Sequence, residues 1–351
     1  MLSGTIVLED SIMQKGEPAA AGSKILDNFI SPFDATVVAS IVERLGAEKI
    51  SGRVSMDEFG INNMTETLSE AVKVVKDGMA GYCLCNDIFG KYRQQAAENG
   101  CCYIRPAYGT VSRYGLIPMV SSMDQIGIVC KNLSDGFKLL SYIAGNDIND
   151  GAMFPEQKYD YTKANKNITI GIPDFAAHQA IQDFSGNFKT VKIKLGYFDV
   201  YKQVMCILSS AEISGNISRY DGIKFGYRAS GYKGLNDLYI KTRTEGFGLE
   251  TKLVAIMGAM VLTQDNYTKY YEKAMKVRRL IKESLRFDEY DVIALPCKIS
   301  ENPYENLSLY SLANLAGLPS VSFTYKGHGI QLISNVKNES LLLTAQEVGL
   351  S

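Results

Sequence analysis

Histidine is scarce in this 351-residue chain, which contains only His178 and His328. A Ser-His-Asp or Cys-His catalytic site would need one of them, yet neither lies near a Gly-x-Ser-x-Gly nucleophile turn. His-Glu-x-x-His, P-loop, Gly-x-Gly-x-x-Gly and EF-hand patterns are also missing from the sequence. These absences argue against several common catalytic, nucleotide and calcium sites. We therefore interpret both histidines as partly buried structural side chains.

Neither sign of charge is in excess, since 37 Lys and Arg residues oppose 38 Asp and Glu residues and give a net charge of −1. This balance excludes a broad basic face for nucleic acid and a polybasic membrane anchor, so any RNA contact would have to be local. The longest uncharged apolar run, Leu253 to Leu262, is far shorter than the ~20 residues that span a membrane. The first residues lack the basic flank of a signal peptide. We therefore expect a cytoplasmic protein.

Seven cysteines without an export signal indicate reduced thiols and not a disulfide framework. Cys83, Cys85, Cys101 and Cys102 lie on two predicted strands, where four thiolates could hold zinc. However, the usual Cys-x2–4-Cys spacing is missing, and successive strand residues point to opposite faces. We favour buried core thiols over a zinc site, and we expect neither a metal nor a cofactor.

Short β-branched runs alternate with amphipathic segments, which is typical of an α/β protein with a largely buried sheet. The predicted strands are Thr5–Leu8, Ile50–Ser55, Tyr82–Cys85, Cys102–Arg105, Ile126–Val129, Ile168–Ile172, Thr190–Leu195, Val292–Leu295, Ser320–Phe323 and Ile330–Ile333. Three helices have clear start signals, which are Asp34, a Thr67/Glu70 capping box and Ser134. Gly46, Gly78 and Gly145 are the matching stop signals. A tyrosine-rich segment over 267–285 also has helical spacing.

A polar segment without periodicity, 146–166, is the best candidate for a flexible connection within the chain. We otherwise predict one domain over residues 1–351. Two acidic runs, Asp147/Asp150 and Glu283/Asp288/Glu289, are typical of solvated loop and helix faces.

Several blocks of the sequence, in the same order, resemble the amidase signature family. The longest is RPAYGTVSRYGLIPMVSSMDQIG, which begins at Arg105. The others are AGSKILDNFISPFDATVV at 21–38, GRVSMDEFG at 52–60, SRYDGIKFGYRA at 218–229, KTRTEGFG at 241–248, KAMKVRRLI at 273–281 and NLAGLPSVS at 314–322. Within the family, the resemblance is greatest to the glutamine-amidase subunits of tRNA-dependent amidotransferases. It implies an α/β fold with a central mixed β-sheet covered by helices on both faces, and an N-terminus shorter than is usual.

The resemblance also implies where the catalytic groups would lie. Family members cleave amides with a lysine, a serine in a cis peptide and a second serine as nucleophile, while backbone N–H groups hold the oxyanion. Here those positions fall on Glu9, Thr67 and Lys91. A carboxylate cannot replace the neutral lysine near pH 7 without a large pKa shift, and the glycine- and serine-rich run around the cis serine is missing. We therefore predict that no residue is catalytic, and we interpret Thr67 as a helix N-cap.

The donor-binding positions of the family are replaced as well. Where similar subunits have Lys-Arg-Arg, this chain has Lys252-Leu253-Val254, and Leu307 stands at the position of an aspartate that holds the donor ammonium. Without a bidentate arginine and a carboxylate, glutamine loses its binding partners. Ile88 and Phe89 replace small residues whose N–H groups would approach the oxyanion.

These replacements predict a catalytically silent protein that acts as a scaffold or regulatory partner. Candidate partners are B- and C-type amidotransferase subunits, with tRNA contacted only indirectly if at all. The alternative is an active amidase or amidotransferase subunit, involved in forming Gln-tRNA(Gln) or Asn-tRNA(Asn), whose site is rebuilt around Lys91 and Glu9 or around Cys83 or Cys85. If Lys91 and Glu9 converge, a plain salt bridge is the simpler expectation. A decaying gene copy that merely folds is a third interpretation.

Overall fold

A single ten-stranded mixed β-sheet organises the chain, whose computed structural model describes residues 2–61, 67–161 and 167–347. The strands are β1 (Ile6–Glu9), β2 (Ile50–Val54), β3 (Tyr82–Asn86), β4 (Cys102–Arg105), β5 (Ile126–Cys130), β6 (Thr169–Pro173), β7 (Lys189–Ile193), β8 (Val292–Pro296), β9 (Ser320–Tyr325) and β10 (His328–Ser334). Each of them corresponds to one of the ten predicted strands, with small differences at the ends. The predicted α/β fold class is confirmed.

Both flanks of the sheet are parallel and its centre is antiparallel. The order across the sheet is β2-β1-β3-β5-β4-β9-β10-β8-β6-β7. β1 pairs in parallel with β2 and β3, and β6 pairs in parallel with β7 and β8. The strands from β3 to β8 through the centre pair antiparallel. Because parallel strands need crossover connections, helices must lie against the flanks.

Twelve α-helices lie within the described residues, and they pack on both faces of the sheet. They are α1 (Thr36–Leu45), α2 (Glu70–Lys76), α3 (Lys91–Glu98), α4 (Leu133–Ile143), α5 (Gln179–Ser185), α6 (Tyr201–Asn216), α7 (Leu235–Gly246), α8 (Leu249–Val261), α9 (Gln264–Asn266), α10 (Lys273–Glu283), α11 (Pro303–Ala316) and α12 (Thr344–Glu347). The predicted tyrosine-rich helix begins as a π-helical turn, Tyr267–Glu272, before α10. Short 3-10 helices are Lys24–Leu26, Ala47–Lys49, Glu58–Gly60, Asp174–Ala176, Phe198–Val200, Ile217–Arg219 and Glu339–Leu343.

Alternate strand residues define the two layers of the core. Leu8 and Ile104 point into one apolar cluster, which includes residues of α1 and α4. Their neighbours Val7 and Tyr103 point into another, which includes residues of α2 and α3. This period of two places helices on opposite faces of one sheet, as the resemblance implied.

Two of the predicted helix starts, at Asp34 and Ser134, are displaced in the structure. α1 begins at Thr36 after Ala35, and the Asp34 carboxylate instead accepts a hydrogen bond from the Lys15 N–H at 2.7 Å. The N-cap of α4 is Asn132, whose side chain accepts the Asp135 N–H at 2.8 Å. In each case a residue next to the predicted cap, or two positions before it, is the N-cap: Ala35 for α1 and Asn132 for α4.

The acidic residues of the predicted connection are not simply solvated. Asp150 is only 8% exposed, and it forms an ion pair with Arg113 at 2.5 Å. Asp147 Oδ2 accepts hydrogen bonds from the hydroxyls of Thr36 at 2.5 Å and Ser112 at 2.6 Å. The prediction that these acidic residues are solvated is therefore wrong. Residues distant in the sequence form an ion pair or hydrogen bonds with their carboxylates. Residues 162–166 of the connection lie outside the described residues.

The second acidic run behaves as predicted. Glu283 pairs with Arg279, and Asp288 and Glu289 pair with Arg286, all at exposed positions. Among the described helices, none combines the length and apolar character that a membrane crossing requires.

Candidate functional site

The loop between β3 and α3 contains Lys91, to which the resemblance assigns the nucleophile position, and a buried carboxylate holds this loop in shape. Asp87 Oδ1 accepts the Gly90 N–H at 2.8 Å. Asp87 Oδ2 accepts the backbone N–H and the side-chain Nε–H of Arg93, both at 3.0 Å. The carboxylate thus closes the loop and caps the start of α3, where the helix dipole favours negative charge.

Arg93 ties this loop to α11 and is itself completely buried. Its guanidinium donates to the Tyr310 carbonyl at 3.2 Å and to Asn314 Oδ1 at 2.8 Å. The Asn314 amide in turn donates to the Ile88 carbonyl at 2.7 Å. A buried arginine with this many acceptors is well compensated for its lost hydration.

A second buried arginine holds the same loop from β4. Arg105 donates to the Asp87 carbonyl at 3.3 Å and to the Met123 carbonyl at 2.6 Å. Burial, with a further contribution from the neighbouring Arg93 charge, lowers the pKa of Arg105 to about 10. Arg105 therefore remains charged at neutral pH, and it adds a second fixed cation beneath the loop.

Gly90 is required at the end of this loop. Its φ is +92°, and a Cβ atom built there would lie 2.2 Å from the Tyr310 ring. Only glycine adopts this conformation without strain and leaves room for that ring. The conformation of this loop therefore depends on glycine at position 90.

Lys91 pairs with Asp57 and not with Glu9. It is the first residue of α3, and its ammonium donates to the Asp57 carboxylate in a short ion pair. The Glu9–Lys91 pair that the rebuilt-site alternative would use, if the two residues converged, is not formed. Successive helix residues point about 100° apart, so Lys91 reaches Asp57 while the next residue, Tyr92, turns towards Glu9.

Glu9 lies at the end of β1, completely buried among hydrogen-bond donors. Its carboxylate accepts from the hydroxyls of Ser11 at 2.6 Å and Tyr92 at 2.5 Å, and from the Asn86 N–H at 3.0 Å. Burial raises the pKa of Glu9 to about 7, although these hydrogen bonds lower it. The three partner residues are buried as well, so a substrate cannot reach this carboxyl.

Thr67 is exposed, and its hydroxyl does not cap a helix. The N-cap of α2 is Ser69, so the predicted Thr67/Glu70 capping box is wrong. The Gln95 side chain takes that role: its Nε2–H donates to the Thr67 carbonyl at 2.9 Å, and its Oε1 accepts the Ser69 N–H at 2.9 Å. Glu9, Thr67 and Lys91 are thus each held by a different set of partners.

The positions that the resemblance assigns to donor binding carry apolar side chains or side chains with other partners. Leu307 is buried in the same apolar cluster as Ile88, with Phe89 packed against it. On α8, Lys252 donates to the Thr244 carbonyl at 2.7 Å, while Leu253 is largely exposed. The described residues at these positions therefore present neither an arginine nor a carboxylate to a glutamine.

The cysteines on β3 and β4 are buried core thiols, as predicted. Cys83, Cys85 and Cys101 lie in the cluster beneath α2 and α3, whereas Cys102 points to the other face. Burial raises the pKa of Cys85 well above its usual value and that of Cys102 to about 12. Protonated thiols are poor nucleophiles and poor metal ligands. Within the described residues, no group of three His, Cys, Asp or Glu side chains is placed to hold a metal ion.

Both histidines are exposed, so the prediction of partly buried side chains is wrong. His178 is the residue before α5, and His328 opens β10 after a tight turn. Both line one cavity of about 410 Å3. His178 and His328 are far apart in the sequence, and no periodic pattern connects them. They line one cavity because β10 pairs with β8.

The cavity beside Lys91 is polar and has a volume of about 420 Å3. Its charged lining residues are Lys91, Glu98, Lys298 and Glu301. Sequence reasoning missed Asp57, which lies within the GRVSMDEFG block, as the partner of Lys91. It also missed Arg93 and Asn314 as the anchors of the loop, although both lie in or beside segments that carried the resemblance.

The sequence is similar to those of known proteins. The sequence model of the amidase family matches residues 74–343. The A-type subunit of glutamyl-tRNA(Gln) amidotransferase from Trichodesmium erythraeum (strain IMS101) is 35% identical, and the match covers 98% of this chain and 82% of that protein. The corresponding protein from Lachnoclostridium phytofermentans is 34% identical, and the match covers 90% of this chain and 74% of that protein.

The fold also matches solved structures. The crystal structure of the A-type glutamyl-tRNA(Gln) amidotransferase subunit from Thermotoga maritima has a TM-score of 0.70 at 24% identity, covering 97% of this chain and 81% of that chain. At this identity the likeness shows the fold alone. Together with the family match and the two sequence relatives, it leads to one conclusion: the chain belongs to the amidase signature family.

Proposed function

We propose that this chain is a catalytically silent amidase-fold protein that serves as a scaffold or regulatory partner in an amidotransferase-like complex. The ion pair of Lys91 with Asp57, at the position of the nucleophile, carries the proposal. The Lys91 ammonium donates its hydrogen bond to the Asp57 carboxylate. A protonated amine has no lone pair with which to attack an amide carbon.

The other two catalytic positions support the same proposal. Ser11, Asn86 and Tyr92 enclose Glu9, so no substrate reaches its carboxyl. The two hydroxyls that it contacts, those of Ser11 and Tyr92, are themselves buried and not at the surface. Thr67 offers its carbonyl to Gln95, and its exposed hydroxyl lies next to a helix start. Amide hydrolysis needs an activated nucleophile, a proton relay and an oxyanion site together, and we infer that Glu9, Thr67 and Lys91 do not supply them.

A scaffold role is supported by what the chain maintains. The sheet, the helices on both faces and the anchored loop are those of a folded protein, and the relatives are named as A-type subunits of an amidotransferase. We propose B- and C-type subunits as its partners, a cytoplasmic location and a role in translation, with tRNA bound only through those partners.

Ammonia release tests the catalytic part of the proposal. The purified chain is incubated with glutamine, asparagine and small aryl amides, and we expect no ammonia above a buffer blank. The rebuilt-site alternative predicts release that disappears in Lys91→Ala and persists in Lys298→Ala, a control lysine that lines the same cavity. Release with that pattern would overturn the proposal.

Complex formation tests the scaffold part. We expect the chain to elute together with B- and C-type subunits in size-exclusion chromatography, and we expect labelled tRNA to shift with the complex and not with the chain alone. Failure to associate with either of them would remove the scaffold interpretation, even if the chain were shown to be silent.

A further inference from the structure

A cleft of about 520 Å3 lies between α10 and the C-terminal end of α11. Three cationic residues of α10 line it: Arg278, Arg279 and Lys282. The aromatic side chains of Tyr108 and Phe154 line it as well. No residue of the loop that contains Lys91 takes part, so the cleft is separate from the site described above.

The charge of this cleft differs from that of three other cavities. The cavity beside Lys91 contains Glu98 and Glu301, and the cavity of the two histidines shares Glu98. A further cavity near Arg113 includes Asp124 and Asp150. In contrast, the residues that line the α10 cleft include three cations and no carboxylate. Clefts lined by one sign of charge attract ligands of the opposite sign.

The Arg278 guanidinium has more N–H donors than its hydrogen bonds within the protein use, so some remain for a ligand. Its Nε–H donates to the Leu315 carbonyl at 2.7 Å, and its two terminal nitrogens donate to Ser122 Oγ at 2.8 Å and to the Ser122 carbonyl at 3.0 Å. A guanidinium carries five N–H groups, so these bonds fix its plane and use three of them. The charge of one carboxylate, that of Glu212, acts on Arg278. Glu212 accepts a hydrogen bond from the Ser122 hydroxyl and does not line the cleft.

The other two cations are available at the rim. Lys282 forms no ion pair with a carboxylate of the described part of the chain. Arg279 pairs with Glu283 at 2.6 Å, but both side chains are more than half exposed. Such a pair is weak and is easily exchanged for another anion.

We propose that this cleft binds a small organic anion, in which an aromatic or apolar body carries a phosphate or a carboxylate. The body would contact Tyr108, Phe154 and the exposed Met275, and the anionic group would meet Arg278, Arg279 and Lys282. The volume falls within the range of small-molecule sites, which combine an apolar lining with a few polar anchors. Arginine suits either anion, because its planar fork matches phosphate and carboxylate alike. This inference does not depend on the proposed scaffold function.

Fluorescence titration of the intact chain with 1-naphthyl phosphate tests the site, with 1-naphthoate as the carboxylate arm. We expect saturable binding of at least one of them, and the tighter arm identifies the anionic group. The double variant Arg279→Ala/Lys282→Ala should weaken binding by about tenfold. The matched variant Lys273→Ala/Lys276→Ala removes two exposed charges from the same helix outside the cleft, and it should leave binding unchanged.

Two further measurements make the result decisive. Neutral 1-naphthol should bind much more weakly than the anions, and Met275→Glu, which places a carboxylate in the cleft, should also weaken binding. Thermal unfolding confirms that each variant is folded. The proposal fails if neither anion saturates, if 1-naphthol binds as tightly as they do, or if the two double variants bind equally.

Discussion

The two sides of the loop between β3 and α3 differ in what holds them. On the inner side, Asp87, Arg93 and Asn314 are buried and hydrogen-bonded to one another or to the loop backbone. On the outer side, Lys91 and Asp57 form one ion pair with side chains 13% and 31% exposed. We expect folding to depend on the inner groups, whereas the resemblance assigns the chemistry of the family to the outer position. If so, the chemistry of the loop can change while its shape persists.

Arg93→Ala should be the most damaging change on the inner side. It leaves the Asp87 carboxylate buried without its cation, and breaking a buried pair costs about 3–5 kcal/mol of unfolding free energy. Urea unfolding at pH 7 measures this loss. Arg286→Ala, which removes an arginine from an exposed ion pair, is the control and should leave stability nearly unchanged. If Arg93→Ala unfolds at the same urea concentration as the wild type, the inner network does not hold the loop.

Glu9 should make the stability of the chain depend on pH. Its pKa is raised to about 7 in the folded state from 4.5, so the folded protein holds this proton more tightly than the unfolded chain does. Stability therefore falls as the pH rises from about 4.5 to about 7, by about 3 kcal/mol for a shift of this size. Below this window Glu9 is neutral in both states, and above it Glu9 is ionised in both.

The Glu9→Gln variant isolates this effect. Its unfolding free energy should fall less steeply than that of the wild type between pH 5 and pH 8, because Gln does not titrate. Asp124 and Glu339, whose pKa values are also raised by burial, contribute equally to both proteins. Parallel stability curves for the two proteins would show that Glu9 has an ordinary pKa.

The sequence predicted the sheet well and the site contacts poorly, for one physical reason. Strands such as Cys102–Arg105 follow from local β-branched and apolar patterns, and that one has the predicted ends. The partners of Lys91, Glu9 and Asp150 depend on which distant segments the fold brings together. Local periodicity does not contain that information.

Helix starts illustrate the same limit at short range. Thr67 has the spacing of a capping box, but the Gln95 side chain from α3 binds the Thr67 carbonyl and the Ser69 N–H. The start of α2 is therefore held by a contact with a distant residue and not by the local capping box. Glu9 lies at the end of β1 and Lys91 begins α3, and the partners of both residues became known only from the structure.

Gln95→Ala should have an intermediate effect, because Gln95 joins the inner side of α3 to the start of α2. Its loss leaves the Ser69 N–H and the Thr67 carbonyl without this partner, which costs about 1–2 kcal/mol. Gln94→Ala is the matched control, since Gln94 donates only to Glu98 on the same helix at 2.9 Å. Equal losses in the two variants would show that the contact with α2 contributes nothing specific.

Lys91→Ala should have the smallest effect, although the resemblance assigns this residue to the nucleophile position. A partly exposed ion pair contributes about 1 kcal/mol or less, and a double-mutant cycle with Asp57→Ala measures the coupling directly. Lys91 and Arg93 are two residues apart on one helix, so the same urea assay compares the two sides of the loop. If Lys91→Ala costs as much as Arg93→Ala, the outer pair is part of the folding network, and the distinction between shape and chemistry does not hold for this loop.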